Sequence, residues 1–473
     1  MKRTLPVLIL SLALTGNAFA AKMVIKNTDK AGVGFNDKTA AAPVGGNNGT
    51  TLGEQRMNVF LKAAEIWGGL LTSDVDIIVD ASFAPNTECT VTSGVLAFAG
   101  PTRISRDFKN APLPGVWYPI ALANKFAGTD LEPTAADIRT SFNSAVGTPT
   151  CLPSRPWYLG LDGNHGEASD LLVTVLHELT HGLGMTGSSN PESGELRSGF
   201  PNVTELHTYD VTKGLRWDQM SDAQRLASAV NIGNLVWDGE STRGAAASYL
   251  KPAVMLHVNN RSSLASHLEI QDASFGPKVT STIAGKLVEG FDAMNTDGPT
   301  ATDGCSTYTN AAAVRGNIVL VDRGTCTFAA KALIAQAVGA AAIVVINDSR
   351  DDAACGLPPM GGTDDSVRIP AIGIRRVDGV GARQAAADGQ TASLAAEPGM
   401  RGGANGPYLR LYAPCEYDGG SSVHHFDTAA SPNLLMEPFI SGDLPAAGTD
   451  VTLNFLRDIG WGAPATGRRI LRR

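Results

Sequence analysis

Several things are missing from this chain, and each absence closes off a class of function. Its 38 Lys and Arg are outnumbered by 46 Asp and Glu, for a formal net charge of -8. No basic excess is therefore present to follow a phosphate backbone, and nucleic acid is not expected as a partner. Past the N-terminus no apolar run approaches the ~20 residues that a membrane-spanning helix takes, so no membrane span is expected. None of the six cysteines (Cys89, Cys151, Cys305, Cys326, Cys355, Cys415) stands in a CxxC pair, which argues against a thiolate zinc site. Internal repeats and long low-complexity tracts are absent. The Asp- and Asn-rich loops are where structural Ca²⁺ would bind, although none has EF-hand spacing.

What the chain does have begins with an export signal. Lys2 and Arg3 precede an apolar run from Leu5 to Leu14, and Ala18-Phe19-Ala20 is a small-x-small cleavage site. Residues 1–20 read as a secretory signal peptide, which places the mature protein outside the cytoplasm, extracellular or periplasmic. In that oxidising setting an even number of cysteines implies disulfides. Six cysteines allow 15 pairings and the sequence does not choose among them; the set adopted as a guess is Cys89–Cys151, Cys305–Cys326 and Cys355–Cys415. A length of 473 residues suggests two or three domains after cleavage.

The patterning then gives a coarse order of elements. Met23 to Ile25 reads as a strand. Gly53-Glu54-Gln55-Arg56 opens a helix carrying Val59, Phe60, Ala63, Ala64 and Trp67 inward, ended by Gly68-Gly69. Val75 to Val79 alternates as a strand, and residues 85–160 look irregular. Ser169-Asp170 caps a helix with Leu171, Leu172, Val175, Leu176 and Leu179 on its buried side, stopping at Gly182 or Gly184. Trp217 to Ala223 reads as a turn entering a helix, and Val451 to Leu456 as a last helix.

The chemistry sits on the Asp170 helix, in His177-Glu178-Leu179-Thr180-His181. Residues four apart lie about 40° apart around a helix axis, roughly one turn along it. The two imidazoles can therefore share one Zn²⁺. Glu178 beside them is placed to take a proton from water that the ion activates, acting as general base. Two surface histidines with a chance Glu between them would fit a polar helix; this one is otherwise apolar, so burying three polar side chains requires a reason.

A catalytic zinc ordinarily takes three protein ligands. In the extended motif HExxHxxGxxH the third is a histidine; here that position is Gly187, which cannot ligate. The remaining histidines are His165, His207, His257, His267, His424 and His425, and the carboxylate rivals are Glu192, Glu195 and Asp210. The segment Gly420-Ser421-Ser422-Val423-His424-His425-Phe426-Asp427 precedes Ser431-Pro432-Asn433-Leu434-Leu435-Met436-Glu437-Pro438. A histidine shortly before a Leu-Met-x-Pro turn resembles the metzincin peptidases, and more closely their leishmanolysin branch. There a long insertion follows the motif helix, and the third His lies eleven residues before the Met of the turn. Here His425 to Met436 is eleven residues (436 minus 425), so the resemblance implies His425 rather than His424 as third ligand, with Met436 packed beneath the metal. Two departures from that branch are visible: there is no long pro-segment and no cysteine near the mature N-terminus, so latency through a Cys–zinc bond is not expected. Tyr158, Tyr209 and Tyr412 are unranked candidates for a donor to the reacting oxyanion, and His165 reads as a loop residue.

The long interval before His425 has its own character. Arg315 to Phe328, Lys331 to Asn347 and Arg368 to Ile374 resemble, in that order, three blocks of the protease-associated (PA) domain, a non-catalytic module inserted in many secreted hydrolases. Asp322 and Arg323 within it are read as structural. Such an insertion accounts for the 244 positions between His181 and His425 (425 minus 181), too long for a direct loop.

The expected fold class is therefore α+β: a metzincin-like zinc peptidase domain, with a mixed sheet and an active-site helix, interrupted by an inserted α/β PA domain. The expected division is signal peptide 1–20, first peptidase part 21–269, PA insertion 270–398, third ligand and Met-turn 399–465, and basic tail 466–473. The expected activity is a secreted zinc endopeptidase acting on proteins or peptides, with Glu178 as base and His177, His181 and His425 as ligands. The rival from another class is an inactive secreted polypeptide-binding or adhesion protein with a PA domain; a zinc hydrolase of non-peptide amides is a third reading.

Overall fold

Ile77–Ala84 shows how the first sheet forms: along Ile-Ile-Val-Asp-Ala-Ser-Phe-Ala every second side chain, Ile77, Val79, Ala81 and Phe83, is buried, the period of a strand with one face on a core. In the computed structural model the described residues are 20–85, 89–259, 267–349, 356–358, 360–362, 364–440, 444–445 and 448–462. The signal-peptide reading lies outside them except for Ala20, as does the basic tail. The chain forms two compact units, one of 1–184 with 456–473, the other of 185–455. The architecture is mixed α/β, and no helix among the described residues is long and apolar enough to cross a membrane.

In the first unit the strands Met23–Asn27, Ile77–Ala84 and Ile138–Asn143 run parallel, and Ala97–Pro101 closes the sheet antiparallel to the last of them. Leu52–Leu70 is a helix capped by the Thr51 side chain. It passes through Gly68-Gly69 instead of ending there. A Cβ at Gly68 would come within 2.6 Å of the Ala21 carbonyl oxygen, so that glycine serves a close approach rather than a stop. Nor is the stretch 85–160 irregular throughout. It holds Ala97–Pro101, Ile138–Asn143 and an eight-residue helix, Ile120–Ala127, ended by Gly128. Prolines and glycines around these short elements hide their period in the sequence.

The helix Leu171–Leu183 lies in the core of this unit. Asp170 caps it, its carboxylate accepting from the Leu172 and Val173 N–H groups. Of its thirteen residues only His181 is not buried, the condition of a helix that is apolar nearly all round. Two indoles brace it: Trp67 Nε1 donates to the Leu176 carbonyl at 3.1 Å and Trp461 Nε1 to that of Leu183 at 2.7 Å. At Gly182 a Cβ would sit 2.3 Å from Ile138 Cγ2, so the helix presses on the sheet where only glycine fits. Gly184 then ends it at φ 140°, a backbone other residues rarely adopt.

The second unit is built on an eight-stranded sheet. Its centre, Ile283–Glu289, Ile318–Asp322, Ala342–Ile346 and Ala371–Ile374, is parallel. The helix Phe328–Ala337 covers one face and Arg376–Ala387 the other. The strands Ile318–Asp322, Ala342–Ile346 and Ala371–Ile374 and the Ala-rich helix Phe328–Ala337 are those expected from the sequence, whereas Ile283–Glu289 and Arg376–Ala387 were not foreseen. The sheet also recruits Thr391–Arg401, Pro252–Val258 and His267–Glu269 on one side, so it reaches beyond 270–398 at both ends. Glu269 on that last strand is clasped by Arg375 and Arg410. Burial pushes its carboxyl up, but the two guanidiniums outweigh this and hold it below the usual carboxylate range. A smaller sheet contains Thr208–Asp210, Leu235–Trp237 and Tyr408–Arg410.

Disulfides join Cys89 to Cys151 and Cys305 to Cys326. Cys415 is disulfide-bonded as well, while its expected partner Cys355 lies outside the described residues.

Candidate metal centre

His177 and His181 face the same way from the buried helix, as their spacing requires. Their rings meet edge to face with centroids 4.9 Å apart, and their Nε2 atoms are 3.2 Å apart. With Zn–N bonds of about 2.0–2.1 Å, a tetrahedral ion spaces its donors by about 3.3–3.4 Å. The pair therefore fits two corners of a zinc site without rearrangement.

Glu178 is buried between them in sequence, and its two oxygens differ. The Ala99 N–H, from the strand Ala97–Pro101, donates to the carboxylate, whereas Oε2 is buried with no hydrogen-bond partner. Burial pushes the carboxyl up to about 8, and the Ala99 hydrogen bond offsets only part of that. An unpartnered buried carboxylate oxygen costs stability, and so calls for a cation or water to meet it.

His425 belongs to the second unit. The segment after Tyr408–Arg410 holds it from both sides: the Tyr412 N–H donates to the His425 carbonyl at 2.8 Å, and the Phe426 N–H to the Met436 carbonyl at 2.7 Å. Met436 is fully buried. The imidazole of His425 is buried too, and its Nδ1–H donates to the Ser421 carbonyl at 2.8 Å. That bond fixes the tautomer and leaves Nε2 with its lone pair, the usual arrangement around a metal-ligating histidine. His424 turns elsewhere. A Cβ at Gly187 would meet its Cε1 at 2.2 Å, so the His424 ring fills the space a side chain at 187 would need.

The other candidates are committed or exposed. Asp210 accepts from Thr212, Lys213 and Asn231. Glu192 and Glu195 are exposed in a turn. Tyr158 donates to Asp162 at 2.5 Å, and this bond, with burial, pushes its hydroxyl up to about 12. Tyr209 packs against Tyr408 with the rings tilted by 52°. Tyr412 is held in the His425 segment, and burial raises its hydroxyl to about 12. His165 Nδ1 lies 3.0 Å from the Ala168 carbonyl oxygen in a loop turn. Asp322 takes a hydrogen bond from Thr302 and pairs with Arg383, while Arg323 reaches Asn347; both brace the second unit's sheet. The sequence did not single out Glu205, a buried carboxylate that accepts from Ser189 and from the Asn202 N–H, nor did it bring His257 and His267 together.

Compared with known proteins, residues 283–381 match the family model of the PA domain, so the chain carries that module. No curated protein matches the chain. Among solved structures it is similar to a zinc aminopeptidase, BSAP, from Bacillus subtilis, at 20% identity over 38% of this chain and 38% of that one, with a TM-score of 0.22. A second is an aminopeptidase from Aneurinibacillus sp. strain AM-1, at 17% identity over 41% of each chain and a TM-score of 0.22. A third is the subtilisin-like protease Apa1 from the Antarctic psychrotroph Pseudoalteromonas sp. AS-11, at 15% identity over 32% of this chain and 34% of that one, with a TM-score of 0.23. The chain thus spans well under half the length of the structures it matches, and at these scores the similarity does not define a common fold.

Proposed function

We propose that the chain is a secreted zinc-dependent endopeptidase of the metzincin type, close to the leishmanolysin branch, with its PA domain inserted between the second and third metal ligands. The observation that carries this is the buried Glu178 Oε2, with no hydrogen-bond partner, next in sequence to His177, whose Nε2 lies 3.2 Å from that of His181. The third ligand in this reading is His425. Its support is the eleven-residue spacing to Met436 and the tautomer set by Ser421. In the proposed division the peptidase occupies 21–269 and 399–465 around the insertion 270–398.

A zinc ion held by these histidines would polarise a substrate carbonyl and lower the pKa of water toward ~7. The remaining work falls to the protein. Glu178 takes a proton from the attacking water. As the peptide C–N bond breaks, the protonated Glu178 gives the proton to the departing amine. Ala97–Pro101 ends its sheet among the described residues and already touches Glu178 through Ala99. An extended peptide can add to that strand by main-chain hydrogen bonds, which sets its scissile bond beside the base.

The test is casein digestion by the purified mature protein, with and without a zinc chelator, alongside Glu178→Ala. Hydrolysis abolished by either treatment supports the reading; hydrolysis that survives both removes it. A protein that holds zinc at His177 and His181 but digests nothing would instead favour the non-catalytic binding role.

A further inference from the structure

We infer that the second unit holds a separate metal site, for Zn²⁺, made by His257, His267 and Glu397. The three come from adjacent strands. His257 on Pro252–Val258 is directly opposite His267 on His267–Glu269, and their ring centroids are 4.6 Å apart. Both stand on the face turned away from Leu256, Val258 and Leu268, which are buried in the core below. Glu397 lies on Thr391–Arg401, along the other side of Pro252–Val258. The ladder pairs Val254 with Ala396 and next Pro252 with Arg401, so Glu397 sits at the start of a bulge, a device that re-aims side chains.

Distances and hydrogen bonding point the same way. Glu397 Oε2 is 3.1 Å from His267 Nδ1 and 3.6 Å from His257 Nδ1, on either side of the about 3.3–3.4 Å donor spacing of a tetrahedral zinc. Yet Oε2, close as it is to both rings, is buried and makes no hydrogen bond to either. At His257 the other nitrogen, Nε2, lies 3.4 Å from the Ala395 carbonyl oxygen. Donating there gives His257 Nε2 the proton and leaves Nδ1 with a lone pair toward a carboxylate oxygen. An imidazole lone pair this close to a carboxylate oxygen is repelled by it, and a cation bound by both would relieve that repulsion. Two imidazoles and one carboxylate suit zinc better than the hard, oxygen-seeking Mg²⁺ or Ca²⁺. The side chain of His267 is half exposed, so the ion can enter from solvent, and once bound it clips the three-residue strand His267–Glu269 to its neighbours.

The experiment uses the whole mature chain, stripped by chelator, dialysed against Zn²⁺, and assayed for bound metal. Wild type should hold two ions per chain, His267→Ala one, the double variant His177→Ala/His181→Ala one, and the triple variant none. Glu397→Gln, which preserves size, should weaken the second ion by more than about tenfold, as losses around metal sites do. Metal content unchanged in both His267→Ala and Glu397→Gln overturns the inference. So does a double variant that binds none while folded by circular dichroism. If instead the double variant keeps all its zinc while His267→Ala loses an ion, this site stands and the peptidase reading fails.

Discussion

On the helix Leu171–Leu183 two histidines four residues apart share one face; on the strands Pro252–Val258 and His267–Glu269 two histidines meet across a ladder. Helix and sheet offer comparable donor spacing by different periodicities. The difference lies in the carboxylate. Glu397 converges with the rings and would be spent as a ligand. Glu178 shares a helix with its histidines, is fully buried, and keeps one oxygen uncommitted. A base must be near the metal without being consumed by it, so in the proposed reading proton transfer falls to Glu178 and not to Glu397. The sheet cluster is equipped to hold strands together.

The largest effect expected from this contrast is at Glu178. Glu178→Ala should lower kcat by about 10²–10⁴-fold, the range for losing a general acid–base group, while zinc content stays at the wild-type level. Full activity in that variant would erase the distinction between the clusters. Next in size is the third ligand. His425→Ala should lose the catalytic ion and the activity that depends on it, and His424→Ala should keep both; metal analysis showing the reverse would exchange the two residues' roles.

A smaller effect tests the sheet cluster as a clip. Free Zn²⁺ at 100 times its Kd adds about 2.7 kcal/mol to the stability of a protein that binds it only when folded. Denaturant titration of the double variant His177→Ala/His181→Ala, with and without zinc, should show a shift of that order, absent once His267→Ala is added. The smallest is a null effect on turnover. With the ion at the helix saturated and the chain folded, His267→Ala should digest casein at close to the wild-type rate, since His267 is not among the groups proposed to react. A large loss would mean that the sheet cluster takes part in the chemistry after all.

The helix cluster could be read from the sequence because everything that defines it is local: Asp170 as cap, leucines at helical spacing, and two histidines one turn apart. The PA strands were equally legible, since parallel strands buried on both faces read as unbroken apolar runs, as in Ile318–Asp322 and Ala342–Ile346. The pairings Cys89–Cys151 and Cys305–Cys326 also came out as expected. The sheet cluster was not legible. Glu397 is 130 positions from His267 (397 minus 267), and only strand pairing with a bulge brings the two together. The short elements within 85–160 were hidden because eight-residue helices and five-residue strands carry too few periods to stand out among prolines and glycines.

One ion pair in the second unit has a practical consequence for anyone wishing to trim this protein. Glu269 ties Arg375, which leads into a helix of the PA sheet, to Arg410, one residue before the stretch that carries Tyr412 and, through it, the backbone of His425. Cutting out 270–398 as a cassette would remove Arg375 and most of the sheet that buries Glu269. Arg410 would be left with a partner newly open to water, and His425 with one support fewer. The PA module is wired into the frame that presents a proposed ligand, so it is better treated as a structural member of the protein than as a detachable accessory.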